Sequence, residues 1–93
     1  MGRDYIQGAL MGLLAQKFGQ IVDLFDAEGA YYAKVCDLRG EKAYLAILGY
    51  KKPAFGFGDL VKFQSDGNEA TRVKLIHREN LPEGVLPLII PPV

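Results

Sequence analysis

A chain of 93 residues, 49% hydrophobic and 24% charged, has the balance of one small folded domain and not that of a disordered segment. Eleven basic residues against eleven acidic ones exclude the strong positive field of a general DNA-coating protein. One cysteine and one histidine exclude an internal disulfide and a Cys/His metal site.

The apolar stretch after Arg3 is interrupted by Gln7, Gln16 and Lys17, which is not a signal-peptide pattern. No run approaches the ~18 apolar residues of a membrane span. The expectation is a cytoplasmic protein without a membrane partner, and the single thiol agrees with a reducing compartment. Tyr5, Ile6, Ala9, Leu10, Leu13, Leu14 and Phe18 recur at helical spacing and predict an amphipathic helix over 4–18. Asp4 with Gln7 resembles a capping box, and Gly19 a stop. The opposite face (Gln7, Met11, Gln16, Lys17) carries little charge, so this helix must bury most of its surface on the rest of the fold or on a partner.

From Gly19 the period changes to two. Residues 20–25 predict a first strand, followed by a turn at Asp26-Ala27-Glu28-Gly29. A second strand over 30–37 carries Tyr31, Ala33 and Val35 on one face and Tyr32, Lys34 and Cys36 on the other. Arg39-Gly40-Glu41 turns the chain into a third strand over 42–48, where Leu45 and Ile47 alternate with Tyr44, Ala46 and Leu48. A loop over 49–58 leads to a fourth strand over 59–64, with Val61 and Phe63 inward and Lys62 outward. Asp66-Gly67-Asn68 is a turn signal, and a fifth strand over 70–77 sends Val73 and Leu75 inward, Arg72 and Lys74 outward. Five short strands at this spacing fit a closed barrel, which leaves no exposed sheet edge. The proline-punctuated tail over 79–93 cannot be a regular helix and is too apolar for water, so it should pack in extended form. The division expected is thus a single domain over 1–93: helix 4–18, barrel 19–78, tail 79–93.

Residues 19–78 resemble the S1-type OB fold of bacterial initiation factor 1 and eukaryotic initiation factor 1A. The resemblance rests on Gly19-Gln20-Ile21-Val22 as opening strand and on Gly49-Tyr50-Lys51-Lys52 after the third. It continues in Gly58-Asp59-Leu60-Val61-Lys62-Phe63 and Arg72-Val73-Lys74-Leu75-Ile76. Cold-shock domains are similar at the Gly-Asp-x-Val-x-Phe strand. This chain departs from them in Tyr31-Tyr32-Ala33, where they carry an aromatic-glycine-aromatic pattern, and in Ala46, near their third-strand histidine. The resemblance implies a mainly β fold, a five-stranded OB-like small β-barrel, that binds single-stranded nucleic acid, RNA above DNA.

An OB barrel stacks bases on aromatic rings and tracks phosphates with cations on the strand 2–3 face and adjoining loops. The outward set here is Tyr32, Lys34 and Tyr44. The long loop adds Tyr50, Lys51, Lys52, Phe55 and Phe57, and Lys62 and Arg72 extend the groove. Residues 34–78 hold nine bases against five acids, so positive charge is concentrated in this segment. The plainer readings are that Tyr32 and Tyr44 form the floor under the predicted helix, that Phe55 and Phe57 plug one barrel end, and that Lys51-Lys52 is a solvated loop. Tyr31 and Phe63 read as core.

Two other functions compete. Phe25, Tyr32 and Tyr50 fall where a Tudor-like barrel would set an aromatic cage for methylated side chains. The apolar helix 4–18 and tail 85–93 suit a protein-protein adaptor or inhibitor, or a homodimer. Enzymatic function is not expected. The carboxylates cluster in turns, Ser65 is the sole serine, and Gly56-Phe57-Gly58 is too short to cradle a phosphate. No cofactor is implied.

Overall fold

The alternation that begins at Gly19 does form strands, but the first starts earlier than the sequence predicts. The structure, a computed structural model, describes residues 16–40 and 42–89. Five strands, β1 (Gln16–Ala27), β2 (Ala30–Asp37), β3 (Ala43–Gly49), β4 (Leu60–Asp66) and β5 (Glu69–Leu75), close into a ring in the order β1-β2-β3-β5-β4. Only β3 and β5 meet in parallel, and they pair over just Leu45–Ala46 against Glu69–Ala70.

The expectation that 16–18 end a helix is corrected. Gln16, Lys17 and Phe18 pair with Gln64, Phe63 and Lys62 as the first residues of β1. Without that pairing one edge of β4 would be left without a partner, and ring closure satisfies it. The remainder of the predicted helix, residues 4–15, lies outside the described residues. Among the described residues the one helical segment is a 3-10 turn at Arg78–Asn80.

Turn chemistry explains where the strands reverse. Ala27 pairs with Ala30 across Glu28 (φ 52°) and Gly29 (φ 82°), both left-handed, as a type I′ hairpin requires. Asp37 shapes the next reversal. Its Oδ1 accepts from Arg39 N at 2.9 Å, and its Oδ2 lies 3.7 Å from Lys17 Nζ on β1. Gly67, at φ 60°, turns β4 into β5.

β1 serves two neighbours. Gln16–Gln20 pairs with β4 and Gly19–Ala27 with β2, so the two ladders overlap at Gly19 and Gln20. A Cβ at Gly19 would lie 2.7 Å from both Phe63 Cε1 and Val35 Cγ1, so only glycine lets the core close against β1 here. That core comprises Ile21, Ala33, Val35, Tyr44, Ala46, Val61, Phe63 and Ala70.

Gln20 points away from this core, yet it is fully buried. Its Nε2 donates to Gly58 O at 2.9 Å and to Ile89 O at 2.7 Å. Its Oε1 accepts from Leu88 N at 2.9 Å and from Ile89 N at 2.8 Å. One amide therefore joins β1, the β3–β4 loop and the tail, and every one of its polar atoms is satisfied.

Two β-bulges reset the inward-outward rhythm. In β1 the pairing with β2 skips Val22, so Leu24 packs on the core and Phe25 faces water. In β5 the pairing with β4 skips from Thr71 to Lys74, and Arg72 adopts φ 52°. Leu75, expected inside, is 50% exposed, because β5 has no β3 neighbour beyond Ala70.

Gly19→Ala should lower unfolding free energy by about 1–3 kcal/mol through overpacking, measured by urea denaturation. Gln20→Leu should cost a similar ~1–3 kcal/mol by orphaning four backbone groups. It should also speed deuterium exchange at the Leu88 and Ile89 amides, whereas unchanged exchange there would mean that Gln20 does not hold the tail.

Candidate functional site

The outer face of β1, β2 and β3 carries two rows of side chains set by strand register. Phe25 pairs with Tyr32 and Tyr32 with Ile47; Asp23 pairs with Lys34 and Lys34 with Leu45. The first row is apolar and partly open to water. Phe25 and Tyr32 stack with centroids 5.5 Å apart and planes 16° from parallel, and Ile47 is 58% exposed. The second row puts the exposed Lys34 between Asp23 and the partly exposed Leu45. Four neighbouring apolar side chains on a water-facing sheet form a patch of the kind that marks a binding surface.

Beside this face the ring is incompletely zipped. β3 and β5 separate after Ala46 and Ala70, and the β3–β4 loop lies over the gap. The result is a cleft of ≈ 480 Å³ whose walls include Ile47, Lys51, Lys52, Phe55 and Arg72, with Glu69 as the acidic residue among them. The loop is held by Asp59, whose Oδ2 accepts from Gly56 N at 2.7 Å, and by Gly58 N donating to Ile21 O at 2.7 Å. Ile47 belongs both to the apolar row and to the cleft wall, so the two features are continuous.

Of the residues singled out in the sequence, Tyr32 and Lys34 lie on the outer face, while Lys51, Lys52, Phe55 and Arg72 line the cleft. Phe55 also packs on the core, so it is shared between the core and the cleft wall. Tyr50, 82% exposed, follows the left-handed Gly49 at the end of β3. Phe57 is 64% exposed but sits at the far end of the loop, next to the Gly58 tether to β1, and does not line the cleft. Lys62 faces outward from β4 into a separate hollow with Lys74 and Arg72.

Tyr44 is corrected. It is only 7% exposed and belongs to the core, with its ring 5.3 Å from that of Phe63 and Lys42 Nζ 5.1 Å above it. Register is the cause: Tyr44 pairs with the fully buried Val35, and Ala46 with the fully buried Ala33. Leu45 and Ile47 are consequently turned to water. Sequence reasoning missed those two, and it considered Phe25 only as part of a cage. The alternation of β3 does signal Leu45 and Ile47 as a set, but both faces of that strand are apolar. Phe25 depends on the bulge at Val22, which no residue type announces.

No family model, curated protein or solved structure matches the chain, so its own residues carry the functional reading.

The two tyrosines should separate in stability measurements. Tyr44→Ala should cost about 3 kcal/mol or more as a core truncation. Tyr32→Ala should cost about 1 kcal/mol, the loss of one surface aromatic pair. Equal losses in urea unfolding would contradict the register described.

Proposed function

We propose that the chain is an OB-type module that binds single-stranded nucleic acid, with RNA as the expected strand. The observation that carries this reading is the unbroken passage from the Phe25–Tyr32–Ile47 row into the cleft of Lys51, Lys52 and Arg72. Bases stack on such a row at about 1–3 kcal/mol each, and cations beside it follow the phosphates. Neutral net charge is no obstacle, since the field that counts is local.

The strand order supports the OB type. Three consecutive strands are followed by a crossing that lays β4 beside β1 and β5 beside β3, a Greek-key connectivity shared with OB barrels. The preference for RNA rests on the resemblance to the initiation-factor domains. Against an aromatic cage, Phe25 and Tyr32 stack on each other and fill the space that a methylammonium would need between them. An adaptor working through the tail is the second reading, because Leu86 (70%) and Leu88 (45%) remain exposed although the backbone at Leu88 and Ile89 is tied to Gln20.

Fluorescence anisotropy with labelled single-stranded RNA and DNA tests the reading. Binding at ~50 mM salt should weaken steeply as salt rises. Lys51→Ala with Lys52→Ala should flatten the slope of log K against log salt by about 1.4, the share of two phosphates on a single strand. Tyr32→Ala should weaken binding by roughly tenfold with the slope retained. Absence of binding to either strand at low salt sinks the proposal.

A further inference from the structure

The opposite side of the barrel carries a second set of cations that the β1–β3 face does not use. On the outer face of β4, Lys62 pairs with Phe18 of β1 on one side and with Lys74 of β5 on the other. The next row joins Gln16, Gln64 and Thr71. Two adjoining hollows, ≈ 190 Å³ and ≈ 540 Å³, share Gln16, Lys62 and Lys74 in their walls. Among the described residues neither hollow is lined by a carboxylate.

Like charges set directly opposite on an antiparallel pair destabilise a sheet. Lys62 is half-buried and Lys74 is exposed, and the two are direct neighbours across the ladder. The ion pair that the structure does form, Lys17–Asp37, is made by other residues and relieves neither of them. An arrangement that costs stability in the free protein is stabilised when an anion lies between the two ammoniums.

Arg72 indicates which anion. Its backbone is left-handed at the β5 bulge, and its side chain lines both the β3–β5 cleft and the smaller of the two hollows. A phosphodiester chain leaving the cleft on the side away from Glu69 therefore meets Arg72 and then the Lys62–Lys74 pair. The amides of Gln16 and Gln64 and the hydroxyl of Thr71 are further donors of the kind that take phosphate oxygens. We infer that β4 and β5 form a second, backbone-tracking surface, on which a strand longer than the β1–β3 face can hold sets its phosphates between Lys62 and Lys74. This rests on the nucleic-acid reading above and extends the footprint around the barrel by way of Arg72.

The test compares wild type with Lys62→Gln/Lys74→Gln in the full chain, using labelled oligouridines of ~6 and ~16 nucleotides, which span the site sizes of OB barrels. On the long strand the double variant should lose about 1.4 from the slope of log K against log salt; on the short strand it should lose nothing. Its urea midpoint should be unchanged or raised, because a repulsion has been removed. Lys74→Gln alone, at the exposed member of the pair, should give about half the shift, ~0.7, and serves if the double variant does not fold.

An unchanged slope on the long strand overturns the inference and leaves the β1–β3 reading standing. Equal losses on both lengths overturn it too, by merging the pair with the primary face. Should oligoglutamate binding depend on the pair while oligouridine binding does not, the occupant is an acidic protein surface and the inference is wrong. Wild type that binds neither oligouridine removes this proposal and the function above together.

Discussion

The sharing of Gly19 and Gln20 of β1 between two ladders is the constraint on which the ring depends. A closed ring requires every strand to have a neighbour on each side, and β1 meets this with β4 along its first residues and β2 along the rest, the two ladders overlapping at Gly19 and Gln20. Gly19 permits this on the inner side, where a Cβ would collide with Phe63 and Val35. Gln20 secures it on the outer side, where an aliphatic residue would leave backbone groups of the loop and tail without partners. Closure then determines the rest. β4 is brought against β1, β5 is carried back to β3, and the short β3–β5 contact leaves the cleft beside it.

The candidate surface consists of what closure does not use. A strand in a small barrel has one face for the core, and this core is already filled by the inward residues of the five strands. Phe25, Tyr32, Leu45 and Ile47 are apolar residues for which no interior position remains, and they gather on neighbouring strands because the register aligns them. The cations follow a different logic. Lys51 and Lys52 lie on the β3–β4 loop and Arg72 at the β5 bulge, where the sheet is least regular, while Lys62 and Lys74 face each other across the β4–β5 ladder.

That distribution also explains how a chain with no net charge has a polar division. Asp23, Asp26 and Glu28 belong to the far end of β1 and its hairpin, while Lys51, Lys52 and Arg72 outnumber Glu69 in the β3–β5 cleft and Lys62 and Lys74 join Arg72 in the hollow beyond it. Charges separated by more than about 10 Å at ordinary salt are largely screened from one another. Local composition therefore governs each surface.

The amino-acid sequence by itself determined the number of strands, their approximate limits and the reversals between them. Glu28-Gly29 and Gly67-Asn68 encode their turns in backbone preferences that need no distant partner. The inward pair Val61 and Phe63 and the outward Lys62 were legible for the same reason, since an unbulged strand with one polar face states its own orientation. The tertiary structure alone decided that residues 16–18 are strand, that Tyr44 lies inside while Leu45 and Ile47 face water, and that Phe25 turns outward. Each of these depends on a pairing between residues far apart in the chain. Ring closure recruits 16–18, ladder register selects between two apolar faces of β3, and a bulge against β2 inverts the end of β1. Such choices are made by the partner strand, so no window of neighbouring residues contains them.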